Sequence, residues 1–139
     1  MYKRQGQASS AGGGKAQLYE YDPIQNSWTI LSEYPNSSSF GMFHFVLGDK
    51  LYVGLGNNNP YNSFQCSSSI YEYDFSTNSW SQKNDFQGSA RKDGISFTHN
   101  GEGYIGFGNT LDLNGFPEDF SDLWKYDQVN DEWLSLIHI

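Results

Sequence analysis

The 139-residue sequence is poor in cysteine, proline and positive charge, and has no long apolar run. Its one cysteine, Cys66, excludes a disulfide within the chain and says nothing about compartment. Eight Lys and Arg stand against 16 Asp and Glu, for a net charge of −8. Phosphate contacts need clustered Lys and Arg, so a nucleic-acid partner is not expected. Attachment to a membrane surface through basic residues is not expected for the same reason. No stretch has the length of a transmembrane segment or of a secretory signal core, so membrane insertion is not expected. No segment sustains helical periodicity. What is present suits a β protein: aromatics reach 17%, with 10 Tyr and 10 Phe, and 15 glycines serve turns. The acidity keeps such a ring-rich surface soluble.

One pattern occurs three times. Leu18-Tyr19-Glu20-Tyr21-Asp22 leads to Trp28, Ile70-Tyr71-Glu72-Tyr73-Asp74 to Trp80, and Leu123-Trp124-Lys125-Tyr126-Asp127 to Trp133. The spacing is 52 residues from Tyr21 to Tyr73 and 53 from Tyr73 to Tyr126, which defines a repeat of about fifty residues. Alternation of period two marks a strand, with Tyr71 and Tyr73 on one face. Asp22, Asp74 and Asp127 end these strands by an Asx-type turn. Asn26, Asn78 and Asp131, four residues on, suit a left-handed backbone. Each Trp opens the returning strand, so every unit ends in a hairpin.

A second element lies upstream and also repeats at 52 residues. Leu51-Tyr52-Val53-Gly54-Leu55-Gly56-Asn57 matches Gly103-Tyr104-Ile105-Gly106-Phe107-Gly108-Asn109. Glycines inside a strand point to a close approach, and the neighbouring aromatics predict rings packed over Gly54, Gly56, Gly106 and Gly108. Before these come two apolar strands, 41–47 and 94–98, joined to them by Gly48-Asp49-Lys50 and Asn100-Gly101-Glu102, both hairpin chemistry. One unit is therefore four antiparallel strands.

The glycine strand, the aromatic-x-Tyr-Asp strand and the Trp six residues after the Asp resemble the kelch repeat over about residues 16–134. Gly-x-Gly stands here where many kelch units have adjacent glycines. The resemblance implies an all-β fold, a β-propeller portion of about two and a half four-stranded antiparallel blades. The expected divisions are a loop and the last two strands of a partial blade at 6–39, a complete blade at 40–85 and a second at 86–133. The Ala90-Arg91 link and the strand 103–108 are similar to bacterial surface kelch arrays, which implies an extracellular or cell-surface setting.

The two ends carry a different expectation. Residues 134–139, Leu-Ser-Leu-Ile-His-Ile, fit the codons CTG TCT CTT ATA CAC ATC. The reverse complement, read from a GTG start, fits Met1 to Gln5. The string resembles a transposase mosaic end used as a sequencing adaptor. Residues 1–5 and 134–139 are thus expected to be adaptor-derived and the chain an internal piece, with the missing blades of a longer propeller as its first partners.

Strand alternation decides which loops meet. The loops 57–68 and 109–122, between the second and third strands, share a face with the links 33–40 and 86–93. Long loops on a rigid scaffold are where binding usually sits. In the first loop Asn57, Asn58, Tyr61 and Phe64 supply amides and rings. In the second Asp112, Asn114, Phe116, Glu118 and Asp119 supply acids, an amide and a ring. Arg91, in the link, can pair with a carboxylate in bidentate fashion. These ten are the candidate binding residues for a protein or glycan ligand.

No catalytic residue, metal or cofactor is assigned. Asp112-Leu113-Asn114-Gly115 begins like a calcium loop, but the remaining ligand pattern does not follow, so these residues read as a polar turn. His44 and His99 lie near the first strands of their units and read as packed or channel-lining. Asn36-Ser37-Ser38 fits a glycosylation triplet and reads as loop. The expected function is a non-catalytic binding scaffold. The alternative is a kelch-type enzyme, similar to galactose-oxidase-like copper oxidases or sialic-acid mutarotases. Oxidase chemistry would need a Tyr–Cys pair with further Tyr and His ligands, and no motif around Cys66 matches it. A purely structural array is the third reading.

Overall fold

The computed structural model describes residues 2–6, 16–36, 40–57, 66–112 and 114–136. The strands are β1 (Tyr2–Gly6), β2 (Gln17–Asp22), β3 (Ser27–Glu33), β4 (Phe43–Leu47), β5 (Lys50–Gly54), β6 (Ile70–Asp74) and β7 (Ser79–Gln82). They continue as β8 (Ile95–His99), β9 (Glu102–Gly106), β10 (Asn109–Leu111), β11 (Pro117–Asp119), β12 (Leu123–Asp127) and β13 (Glu132–Ser135). No helix occurs among the described residues, and so none long and apolar enough to cross a membrane. Two sheets have four antiparallel strands, β4-β5-β6-β7 and β8-β9-β12-β13, in the order the repeat requires. The first sheet, β1-β2-β3, has three strands. Its outer two were expected. The third, β1, runs through residues read as adaptor-derived, and pairs Tyr2 with Tyr21 through Gly6 with Gln17.

The three hairpins share one construction. Tyr21 faces Trp28, Tyr73 faces Trp80 and Tyr126 faces Trp133 across their strand pairs. The ring centroids lie 4.8, 4.9 and 4.9 Å apart. Aromatic pairs of this kind stabilise a sheet locally. Oδ1 of Asp22, Asp74 and Asp127 accepts the backbone N–H two residues on, at 2.8, 2.8 and 2.9 Å, which is the expected Asx turn. Asn26, Asn78 and Asp131 adopt φ of +50°, +52° and +55°. Each also accepts the hydroxyl of the tyrosine that begins its turn, at 2.8, 3.1 and 2.6 Å.

Between sheets, the inner strand of one meets the outer hairpin of the next. Phe45 stacks on Tyr52 of its own sheet and packs on Tyr126 and Trp133 of the following one. Phe86, in the link, touches Trp124 and Trp133. One sheet earlier, Tyr34 of the link packs on Tyr71 and Trp80, whose indole N–H donates to Ser32 Oγ at 3.1 Å. The inner strands are joined by hydroxyls: Ser96 Oγ donates to His44 O at 2.7 Å and Thr98 Oγ1 to Val46 O at 2.8 Å. His44 and His99 are exposed on these strands.

The glycines work differently from expectation. The atoms nearest Gly54, Gly56, Gly106 and Gly108 are backbone atoms and the aliphatic side chains of Ile70, Met42 and Leu123, rather than rings. A Cβ at Gly56 would lie 2.7 Å from Phe40 O, and one at Gly108 2.6 Å from Lys92 O. Both have positive φ, +81° and +88°, which glycine adopts without a Cβ penalty. The link chain thus passes hard against the end of the glycine strand. Rings do need a bare backbone at other glycines: Phe45 lies over Gly103, Phe43 over Gly94 and Phe86 over Gly88. The alignment by repeats hid the first of these, because Gly103 corresponds to Leu51.

Candidate functional site

Link and loop do meet on one face, and Arg91 sits where they join. Its side chain is 1% exposed. Nη1 and Nη2 donate to the two carboxylate oxygens of Asp122, the second at 2.8 Å. Nε donates to Ser89 O at 2.9 Å, and Nη1 also reaches Phe107 O at 3.2 Å. The guanidinium lies 3.9 Å from the Phe120 ring centroid and 5.2 Å from that of Phe86. Its own carbonyl accepts Gly56 N–H at 2.8 Å. A buried cation needs this many partners. The bidentate pairing foreseen for Arg91 is therefore made inside the chain, and Arg91 braces the face from beneath. Asp122, held below its ordinary value by Arg91, also accepts the Trp124 indole N–H at 2.8 Å.

Above this brace β10 pairs with β11 as a hairpin, where a long loop was expected. Lys92 and Asn109 exchange two backbone hydrogen bonds of 2.9 Å, which anchor its base to the link. Asp112 shapes its turn: Oδ1 accepts from Asn114 N at 2.9 Å and Phe116 N at 2.8 Å, and Gly115 takes φ +87°. The Phe116 N–H, first among these donors, holds the Asp112 carboxyl below its ordinary value. Asp112 is a turn former here, and its expected reading as a polar turn agrees with this geometry. The hairpin then presents Asn114, Phe116, Glu118 and Asp119 to solvent, with Phe116 68% exposed. Within β11, Glu118 lies on the opposite face to Asp119.

The other loop contributes less that can be described. Asn57 is buried and bridges Phe40 on one side and Cys66 on the other. Asn58, Tyr61 and Phe64 lie outside the described residues. Among the described residues no three His, Cys, Asp or Glu side chains gather to hold a metal ion.

Asp122 is the residue that sequence reasoning missed. A signal existed: stepping back one repeat from Arg91 and from Asp122 arrives at Ser39 and Ser69, so the pair changes together. Phe107 was passed over too. It is 47% exposed at φ +57°, a conformation that costs a non-glycine residue about 1 kcal/mol.

No protein-family model and no curated protein matches this chain. A solved structure described as "Structure of YjhT" superposes with a TM-score of 0.71 at 17% identity, over 93% of this chain and 46% of that one. The chain thus spans just under half the length of that protein. The likeness shows the fold: an all-β, β-propeller-like array whose four-stranded antiparallel sheets are the blades.

Proposed function

We propose that this chain is part of a kelch-type propeller that acts as a non-catalytic scaffold and binds a protein or glycan ligand on its loop face. The observation that carries this reading is the β10–β11 hairpin. It is braced from below by buried Arg91 and holds Phe116 in water, with the exposed carboxylates of Glu118 and Asp119 on the two faces of its second strand. A large ring kept exposed on a fixed hairpin forgoes burial, and fixed geometry lowers the ordering cost of binding. A ring can stack on the apolar face of a sugar or on a side chain of a protein segment. A carboxylate of the same hairpin, Glu118 or Asp119, accepts hydroxyl or amide hydrogens. An extracellular or cell-surface setting suits such recognition.

The test is a screen of the chain on a glycan array and on a displayed peptide library, repeated with Phe116→Ser/Glu118→Gln. Both side chains are exposed, so the variant keeps the fold. Binding to one library, weakened at least about tenfold in the variant, supports the reading. Binding that ignores both changes overturns it, as does an empty result in both libraries. Chemical turnover of a bound sugar would overturn its non-catalytic part.

A further inference from the structure

The two end sheets expose the two halves of an interface that the chain forms within itself. Between the middle and last blades, the Phe45–Tyr52 stack receives the Tyr126–Trp133 pair, and all four rings are buried. Fifty-two residues after Phe45 and Tyr52 stand Phe97 and Tyr104, stacked in the same way with centroids 5.0 Å apart. Phe97, however, is 39% exposed where Phe45 is 5%. At the other end Tyr21 and Trp28 repeat the Tyr126–Trp133 pair, but Trp28 is 54% exposed where Trp133 is 3%. Ile95 and Ile30 extend these two faces and are exposed at 46% and 55%.

We propose that a second copy of this chain covers both faces, head to tail: Phe97–Tyr104 of each copy receives Tyr21–Trp28 of the other. Two features favour a second copy as the occupant. The exposed faces are the repeat equivalents of surfaces seen packed together in this chain, so each copy carries both the ridge and its seat. The chain also spans 46% of a solved propeller-like chain, so two copies match about the whole of that chain's length. Unlike surfaces in contact form a heterologous interface, and a rotation of half a turn closes it at two copies. Both exposed faces then disappear, as apolar patches of this kind favour.

Sedimentation equilibrium of the full chain tests this, with a discrete species of twice the 15.8 kDa chain mass as the expected result. Trp28→Glu and Phe97→Glu should each weaken that dimer at least about 30-fold, the size of an interface hot spot. An equimolar mixture of the two variants retains one intact pairing, Phe97 of the first with Trp28 of the second. It should therefore recover a dimer that neither variant forms alone. That recovery also shows that both variants fold. A monomeric wild type would mean that other blades cover these faces and would overturn the proposal, as would open-ended oligomers. A dimer lost in only one variant would indicate like-with-like contact and overturn it too, and so would a mixture that stays monomeric.

Discussion

Tyr73 and Trp80 face each other across β6 and β7 with their ring centroids 4.9 Å apart, and Tyr73 is fully buried. Removing the ring leaves a cavity beneath Trp80 and Phe75. Tyr73→Ala is expected to cost about 3 kcal/mol, the scale of a deleted core aromatic. Tyr73→Phe keeps the ring and loses only the hydroxyl bond to Asn78, at a cost of about 1 kcal/mol. Urea denaturation of the two variants checks the ratio. Equal losses would show that the hydroxyl, not the ring, does the holding.

Asn78 separates backbone from side chain. Its φ of +52° penalises any residue with a Cβ, and Asn offsets this through its bond to Tyr73. Asn78→Gly relieves the penalty and loses the bond, while Asn78→Ala keeps the penalty and loses the bond. The alanine variant should be about 1 kcal/mol less stable than the glycine variant. Thermal melts giving the reverse order would contradict this account.

An ion pair changes sign between blades. Lys50 Nζ lies 2.6 Å from Glu72 Oε1, and one repeat later Glu102 and Lys125 occupy the same places at 2.8 Å. In both, a tyrosine hydroxyl donates to the glutamate: Tyr52 to Glu72, Tyr104 to Glu102, each at 2.7 Å. Glu72→Lys puts two ammonium groups together and should cost about 2 kcal/mol. Lys50→Glu/Glu72→Lys reproduces the pair of the next blade and should recover at least half of that. A double-mutant cycle gives the coupling directly.

These cases mark what was legible in the sequence. Hairpins, left-handed turn positions and strand order all follow from local chemistry repeated at a fixed interval, so Tyr73, Asp74 and Asn78 declared their roles. Some contacts between blades keep the interval, as Tyr34 on Tyr71 and Trp80 and Phe86 on Trp124 and Trp133 do, but others do not. Phe45 over Gly103 and Arg91 on Asp122 join positions whose repeat equivalents differ, and only the packed chain shows them. At the candidate site the acids and the ring of residues 112–119 were legible as the contents of a long loop. Their order as a hairpin was not, because β10 and β11 have three residues each and no alternation long enough to read.

The Arg91–Asp122 clamp predicts a pH dependence. In the folded chain Arg91 holds the Asp122 carboxyl below its ordinary value of 3.8. The unfolded chain therefore binds a proton at higher pH than the folded one. The stability from this pair is fully present above about pH 4 and is lost as pH falls through the lower, folded value. Glu72 adds to the same trend: burial pushes its carboxyl up, but the bonds from Lys50 and Tyr52 outweigh this and hold it below 4.5. Asp122→Asn removes the charge and leaves Arg91 buried without a carboxylate. It should cost about 2 kcal/mol at pH 7, less than for a fully buried pair because the Asp122 side chain is 27% exposed. The gap between wild type and variant should then narrow below pH 4, where the wild-type carboxyl also gains its proton. Denaturant midpoints from pH 7 to pH 3 measure the gap. A gap that stays constant over that range would mean that Asp122 holds Arg91 by shape and hydrogen bonding, with no contribution from its charge.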